Sequence, residues 1–368
     1  MNKDSKIYIA GHRGLVGSAI WRNLESKGYT NLVGRTHKEL DLLDGAAVKR
    51  FFDEEQPEYV VLAAAHVGGI MANSLYRADF IYENLQIQQN VIGESFRHNV
   101  KKLLFLGSTC IYPREASQPI AETELLTSPL EYTNEPYAIA KIAGLKLCES
   151  FNLQYGTNYI AVMPTNLYGP HDNFNLETSH VMPAMIRKIY LAKQLNEDNW
   201  DAIRNDLNSR PIEGVDGSAT NDEIMAILAK YGIHNDHLLL WGSGKPLREF
   251  LWSEDMADAS VYIMENINFS DTYEGEEVIP GTPEMAKRGI RNCHINIGSG
   301  KEISIAELAM LCKATIAYNG EIRWDASKPD GTMRKLTDVS KLHALGWKHK
   351  METEDGVKAL FNWYTENL

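Results

Sequence analysis

An α/β fold built on a doubly wound parallel sheet, with a smaller C-terminal α/β domain after it, is predicted by three observations. Short apolar runs alternate with helical runs through the first half of the chain. A glycine-rich turn, Gly11-His12-Arg13-Gly14-Leu15-Val16-Gly17, joins the first strand-like run to the first helical one. Beyond about residue 175 the rhythm weakens and polar, charge-rich stretches intervene. Strand–helix–strand repetition makes the strands parallel and puts helices on both faces of the sheet.

Residues 7–10 alternate as a first strand, and 14–26 have helical periodicity that stops before Gly28. Further strands are expected at 31–34, 59–65, 102–107 and 159–164, with helices near 46–54, 79–97 and 136–154. Residues 195–236 read as an inserted excursion rather than sheet, with a helical stretch at 221–231. A strand at 238–241 ends at Gly242-Ser243-Gly244, and 248–252 leads to a helix after Ser253. Residues 272–291, with several Gly, Pro and Glu, read as a loop, after which 294–298 and 303–318 resume strand and helix. The expected division is residues 1–175 for a first domain, with a return near 240–260, and 176–368 for most of a second.

Open parallel sheets bind ligands beyond the C-terminal ends of their strands, where Gly11, Ala63, Ser108 and Asn166 fall. In the first turn, Gly11 permits the tight bend, Gly14 lets backbone approach a pyrophosphate, and Gly17 lets helix pack on strand. That pattern marks a Rossmann-type dinucleotide site. NAD readers usually end the second strand in an acid for the ribose 2′-hydroxyl. Here Val33-Gly34-Arg35-Thr36-His37 has none, and Arg13, Arg35 and His37 are cations or near-cations suited to a 2′-phosphate. NADP(H) is the expected cofactor.

The chemistry is carried by Gly107-Ser108-Thr109-Cys110 and by Tyr137 and Lys141, one helical turn apart. A lysine beside a phenol favours the phenolate, and the phenol can pass a proton to a carbonyl oxygen. Ser108 adds a second donor to that oxygen. Together they suit reduction of a ketone by a hydride carrier. Tyr-x-x-x-Lys alone is weak, since a chain with 17 tyrosines holds about one such pair by chance; the glycine turn upstream gives it weight.

The length of 368 residues accommodates one large α/β domain and a smaller one. The net charge of −12 argues against a general nucleic-acid binder. No stretch approaches a membrane span, and the N-terminus lacks a signal-peptide core. Cys110, Cys148, Cys293 and Cys312 form no Cys-x-x-Cys pair, and the histidines have no metal-ligand spacing. The expectation is a cytoplasmic protein without a metal.

The blocks at 11–17, 63–69, 107–113, 134–144, 163–173, 241–244, 248–250 and 325–331 resemble the GDP-L-fucose synthases, which are extended short-chain dehydrogenase/reductases. The resemblance runs nearly end to end. It implies inversion of C3 and C5 in GDP-4-keto-6-deoxy-D-mannose, then reduction of C4 with NADPH. Every proton removed lies α to the C4 carbonyl, so charge collects on one oxygen and the same donors serve both reactions.

By this resemblance Ser108 and Tyr137 are those donors, while Lys141 tunes Tyr137 and binds the nicotinamide ribose. Cys110 is the base and His180 the acid. The cofactor lies on Gly11, Arg13, Gly14, Leu15, Val16 and Gly17, then His37, Leu42 and Leu106. Ser108, Lys141, Pro164, Asn166, Leu167 and His180 complete its site. Lys188, Trp241, Arg248 and Asp330 hold the nucleotide sugar, and a homodimer forms through the helices near 79–98 and 136–154.

Read alone, several of these residues are plainer. Cys110 fits a buried structural thiol, His180 a capping or solvent residue, Lys188 a solvated helix face, and Trp241 core. A thiol near a lysine and a histidine is nevertheless drawn toward thiolate, a competent base. Two features depart from the compact members of the family, namely the length of the 195–236 segment and His37, where those members carry arginine. The second bears on NADPH preference, because histidine is mostly neutral at pH 7.

Three alternatives are weaker. A nucleotide-sugar 4,6-dehydratase wants an Asp-Glu pair where Thr109-Cys110 stands. A 4-epimerase with tightly held NAD needs no thiol base and favours an acid after the second strand. A non-catalytic NADP-sensing protein has no need of Tyr137 or Lys141.

Overall fold

The computed structural model describes residues 1–328 and 330–368, with the backbone alone at Ile70 and Met71. The chain divides into two compact units. The first comprises residues 1–167, 251–300 and 336–350, and the second 168–250, 301–335 and 351–368.

The first unit begins with β1 (Ile7–Ala10), α1 (Leu15–Ser26), β2 (Leu32–Val33), α2 (Gly45–Glu55) and β3 (Tyr59–Leu62). It continues through α3 (Ile70–Leu75), α4 (Arg77–Arg97), β4 (Lys102–Leu106), α5 (Glu135–Tyr155) and β5 (Tyr159–Pro164). The strands form one parallel sheet in the order β2-β1-β3-β4-β5, closed by Ile295–Ile297. The order reverses between β1 and β3, so the loops after these strands diverge to opposite faces and leave a crevice above them.

Alternate side chains of each strand feed two separate cores. Tyr8, Val60, Leu62, Leu103, Phe105 and Met163 face Val48, Phe52, Val91, Ile92 and Leu145 on one side. Ile7, Ile9, Val61, Leu104, Leu106 and Val162 face Ile20, Leu24, Met256, Ala259 and Ile263 on the other. The strands are therefore apolar on both faces, including β1, whose residues 7–10 read as alternating in the sequence.

In the second unit, α6 (Val181–Asn196), α7 (Trp200–Ser209) and α8 (Asn221–Lys230) precede a parallel pair made by His237–Trp241 and Glu321–Asp325. The 195–236 segment thus folds as helices. Asn199 caps α7 through Ala202 N–H, and Thr220 with Glu223 forms a capping box on α8. Both helices bury an apolar face, Ile203 and Leu207 on α7 and Ile224 and Leu228 on α8.

One fully buried ion pair ties α7 to α6. Arg187 donates to both carboxylate oxygens of Asp206, with Nη2 to Oδ2 at 2.7 Å. It also donates to the carbonyls of Phe174 and Arg210, while Tyr364 donates to Asp206. Asp206→Ala leaves a buried guanidinium without its counter-ion. Loss of about 3–5 kcal/mol of stability is expected in a urea melt, and Asp206→Asn is expected to lose less.

The segment 272–291 is mostly loop, as expected, but holds one helical turn pair, Pro283–Arg288. Its Thr282 cap, first-turn proline and left-handed Gly289 are ordinary helix punctuation. Among the described residues, no helix is long and apolar enough to cross a membrane.

Candidate active site

The dinucleotide turn follows β1 directly. Gly11 has φ +85°, and a Cβ there would lie 2.8 Å from the Ala64 amide nitrogen. A Cβ at Gly17 would lie 2.1 Å from the Gly11 carbonyl oxygen, so α1 packs too closely on the turn for any side chain. Gly14 is different, because a Cβ there meets only the Gly11 carbonyl at 3.5 Å. Space on the ligand side of Gly14 is therefore kept by choice of residue, not by crowding. Gly14 is also the N-cap of α1, with no side-chain cap and no acid in the first turn. The open N–H groups and the positive end of the helix dipole suit a pyrophosphate, so the turn fits a dinucleotide.

The 2′-phosphate reading needs adjustment at one residue. Arg35 is bound to Glu55 and to the Gly34 carbonyl, with its guanidinium over the Phe51 ring, so its charge is already paired. His37 is largely exposed and lies 3.8 Å from Asp41. Arg13 remains from the expected set, and the nearby carboxylate it influences is Glu39. Among the other expected cofactor residues, Leu15 opens α1, while Val16 and Leu167 pack against the sheet. The Leu42 carbonyl accepts from Asn90, and Pro164 ends β5 next to Asn166.

Beyond β4 the chain turns through a short 3-10 helix at Thr109–Ile111, with Ser108 as its cap. Ser108 Oγ accepts from the Cys110 amide at 3.2 Å and lies near enough to Tyr137 to oppose the rise in its pKa. Tyr137 enters on the first turn of α5, its ring edge-on to Phe80 at 6.3 Å. Burial, and then Cys110, raise the phenol well above its ordinary range.

Lys141 lies one turn further along α5 and is buried. It donates to the Leu106 carbonyl at 2.8 Å, and burial lowers its pKa to about 7. Its ammonium is 5.7 Å from the centre of the Tyr137 ring. The expectation that Lys141 draws the phenol toward phenolate is therefore corrected. Tyr137 is held neutral, which is the form that can give a proton away.

In the second unit His180 is the N-cap of α6 without a side-chain cap bond, and burial lowers its pKa. Trp241, expected in the core when read alone, is 64% exposed. Lys188 lies 5.9 Å and Lys328 5.5 Å from the centre of its ring. Burial brings Lys188 down to about 8.

Asp330 accepts from the Ser243 amide and hydroxyl at 2.8 and 2.6 Å, which fixes it to the turn after Trp241. Arg248 is half-buried and feels the charge of Asp330. An exposed aromatic face flanked by cations suits a nucleoside diphosphate. Lys328 was not singled out from the sequence, although it lies in the 325–331 block, where Pro329 is outside the described residues. Among the described residues, no cluster of His, Cys, Asp or Glu could hold a metal.

The sheet, the turn and the Ser108–Tyr137–Lys141 group define a dinucleotide-dependent oxidoreductase of the extended short-chain type. The chain belongs to the NAD dependent epimerase/dehydratase family, whose profile matches residues 7–210 and 212–277. It is 48% identical over 367 residues to GDP-L-fucose synthase 1 of Arabidopsis thaliana, covering 100% of this chain and 95% of that one. Identity to the GDP-L-fucose synthase of Escherichia coli (strain K12) is 47%, covering 98% and 97%. A solved structure of a GDP-mannoheptose C4 reductase from Campylobacter jejuni, with NADP bound, is 44% identical, with a TM-score of 0.85 and 99% of each chain covered.

Proposed function

We propose that the protein makes GDP-L-fucose from GDP-4-keto-6-deoxy-D-mannose by 3,5-epimerisation and NADPH-dependent 4-reduction. The observation that carries this reading is a thiol, Cys110, set beside a hydroxyl and a neutral phenol at the end of β4. A simple ketone reductase has use for the last two only. Full-length identity near one half to proteins named GDP-L-fucose synthase supports the same substrate.

Bound at the α1 turn, NADPH supplies the hydride for C4. The residues do the rest. Ser108 and Tyr137 direct hydrogen bonds to the C4 oxygen and stabilise the enolate formed when a neighbouring proton leaves. Cys110 as thiolate takes the protons from C3 and C5, and His180 returns a proton to the opposite face. In the reduction Tyr137 gives its proton to the C4 alkoxide. Lys141 holds the ribose. Arg13 reads the 2′-phosphate, with His37 at its edge. Lys188 and Arg248 bind the diphosphate, Trp241 stacks on the guanine, and Asp330 orients the turn that carries it.

The protein works as a homodimer in the cytoplasm. Exposed Tyr82 on α4 and Ile139 and Tyr155 on α5 support a face between copies. Buried thiols outside disulfides at Cys148, Cys293 and Cys312 support the compartment.

The test is incubation with GDP-4-keto-6-deoxy-D-mannose in D₂O, with and without NADPH, followed by NMR. Deuterium at C3 and C5, and GDP-L-fucose only with NADPH, is the expected result. A second reading comes from the Campylobacter jejuni relative, that of a C4 reductase for a GDP-linked 4-keto-heptose. NADPH oxidation with that substrate, and no exchange or product with the 6-deoxy sugar, would replace the first reading with the second.

A further inference from the structure

Asn134 ends the short turn Tyr132–Asn134 and is the N-cap residue of α5. Asparagine at this place normally accepts a hydrogen bond from the first turn of its helix. Asn134 makes no such bond. Its Nδ2 instead donates to the Cys110 sulfur at 3.3 Å, across 24 residues of sequence. Its Oδ1 is buried and has no hydrogen-bond partner. A strong helix cap has been turned away from the helix and onto a thiol.

We infer that Asn134 is a positioning residue for Cys110, holding the sulfur in place and stabilising it as the thiolate that removes the C3 and C5 protons. The inference rests on Cys110 being the base, as proposed above. In the thiolate state the amide N–H donates to sulfur, a charge-assisted bond. The C–H electron pair moves into the enolate and onto the C4 oxygen, while the proton moves to sulfur. The terminal torsion of an asparagine is soft, so the carboxamide can then turn Oδ1 toward the new S–H. One side chain serves both protonation states.

Other titratable groups lie near this sulfur. Tyr137, on α5, faces it and is neutral. The charges on the adjoining turn and helix, Glu131 and Glu135, lie within reach of Arg114 and Arg77.

Two variants of the full chain test this. Asn134→Ala removes the amide, and Asn134→Asp keeps its size and its quality as a cap while replacing the donor with a carboxylate. NADPH binding by fluorescence checks the fold of each. Iodoacetamide alkylation of Cys110, read by peptide mass, and solvent deuterium exchange at C3 and C5 are measured at pH 7.

Both rates fall roughly tenfold in Asn134→Ala and further in Asn134→Asp. The alkylation deficit closes as pH rises and the thiol ionises unaided. A purely structural cap tolerates aspartate, so wild-type rates in Asn134→Asp would overturn the inference. A deficit that is the same at every pH would overturn it too. Cys110→Ser separates the two levels. Exchange surviving in Cys110→Ser removes the base itself, whereas exchange lost there and intact in Asn134→Asp removes only the role of Asn134.

Discussion

Tyr137→Phe lowers kcat for reduction by roughly 10²–10⁴-fold, the range of a lost general acid, with KM for the nucleotide sugar little changed. The variant keeps the ring that packs on Phe80 and removes only the hydroxyl near Ser108. Deuterium exchange at C3 and C5 is expected to fall less, because Ser108 remains as the second donor of the proposed site. The pH profile carries a second signature. An acid raised well above its ordinary range keeps its proton as pH rises, so wild-type reduction shows no alkaline limb from Tyr137 below about pH 10. Stopped-flow oxidation of NADPH across that range checks both points. A Phe variant that reduces at wild-type speed would remove Tyr137 from the mechanism.

Cys110→Ser produces the opposite pattern. Exchange at C3 and C5 drops by roughly 10²–10⁴-fold, since a serine hydroxyl at neutral pH is a far weaker base than a thiolate. NADPH binding is retained, because Cys110 belongs to the turn beyond β4 and not to the α1 turn. Proton NMR of the sugar in D₂O measures the first quantity, and fluorescence titration of NADPH the second. Wild-type exchange in this variant would show that another group takes the protons.

The sheet was legible because its strands are buried on both faces and separated by helices with clear periodicity. Ends were less so. The predicted strand 59–65 stops at Leu62, although the Ala63 amide still donates to the Ala10 carbonyl of β1. The short helix α3 lies in a block rich in glycine and small residues, where no apolar stripe marks it.

The segment 195–236 was set apart from the sheet because its polar content is high, and it folds as helices. What anchors it was not readable, since Asp206, a carboxylate in a polar stretch, is paired with an equally buried Arg187. Such pairs are invisible until the fold is known. In the candidate site, the spacing of Tyr137 and Lys141 was readable but their electrostatics were not. Burial acts on each more strongly than either acts on the other. Trp241 shows the same limit from the other side, for nothing in sequence distinguishes an exposed tryptophan from a core one.

Lys141 has a thermodynamic consequence for ligand binding. With its pKa near 7, the amine is about half charged at neutral pH. Hydroxyls that accept hydrogen bonds from the ammonium favour the charged form, so binding a ribose there draws protons from solution, up to about half a proton per site near pH 7. The apparent enthalpy of NADPH binding is then expected to vary with the ionisation enthalpy of the buffer, and Lys141→Met to remove that variation. The affinity for NADPH should accordingly weaken as pH climbs above neutral, because each binding event must then recover a proton that the free protein has given up.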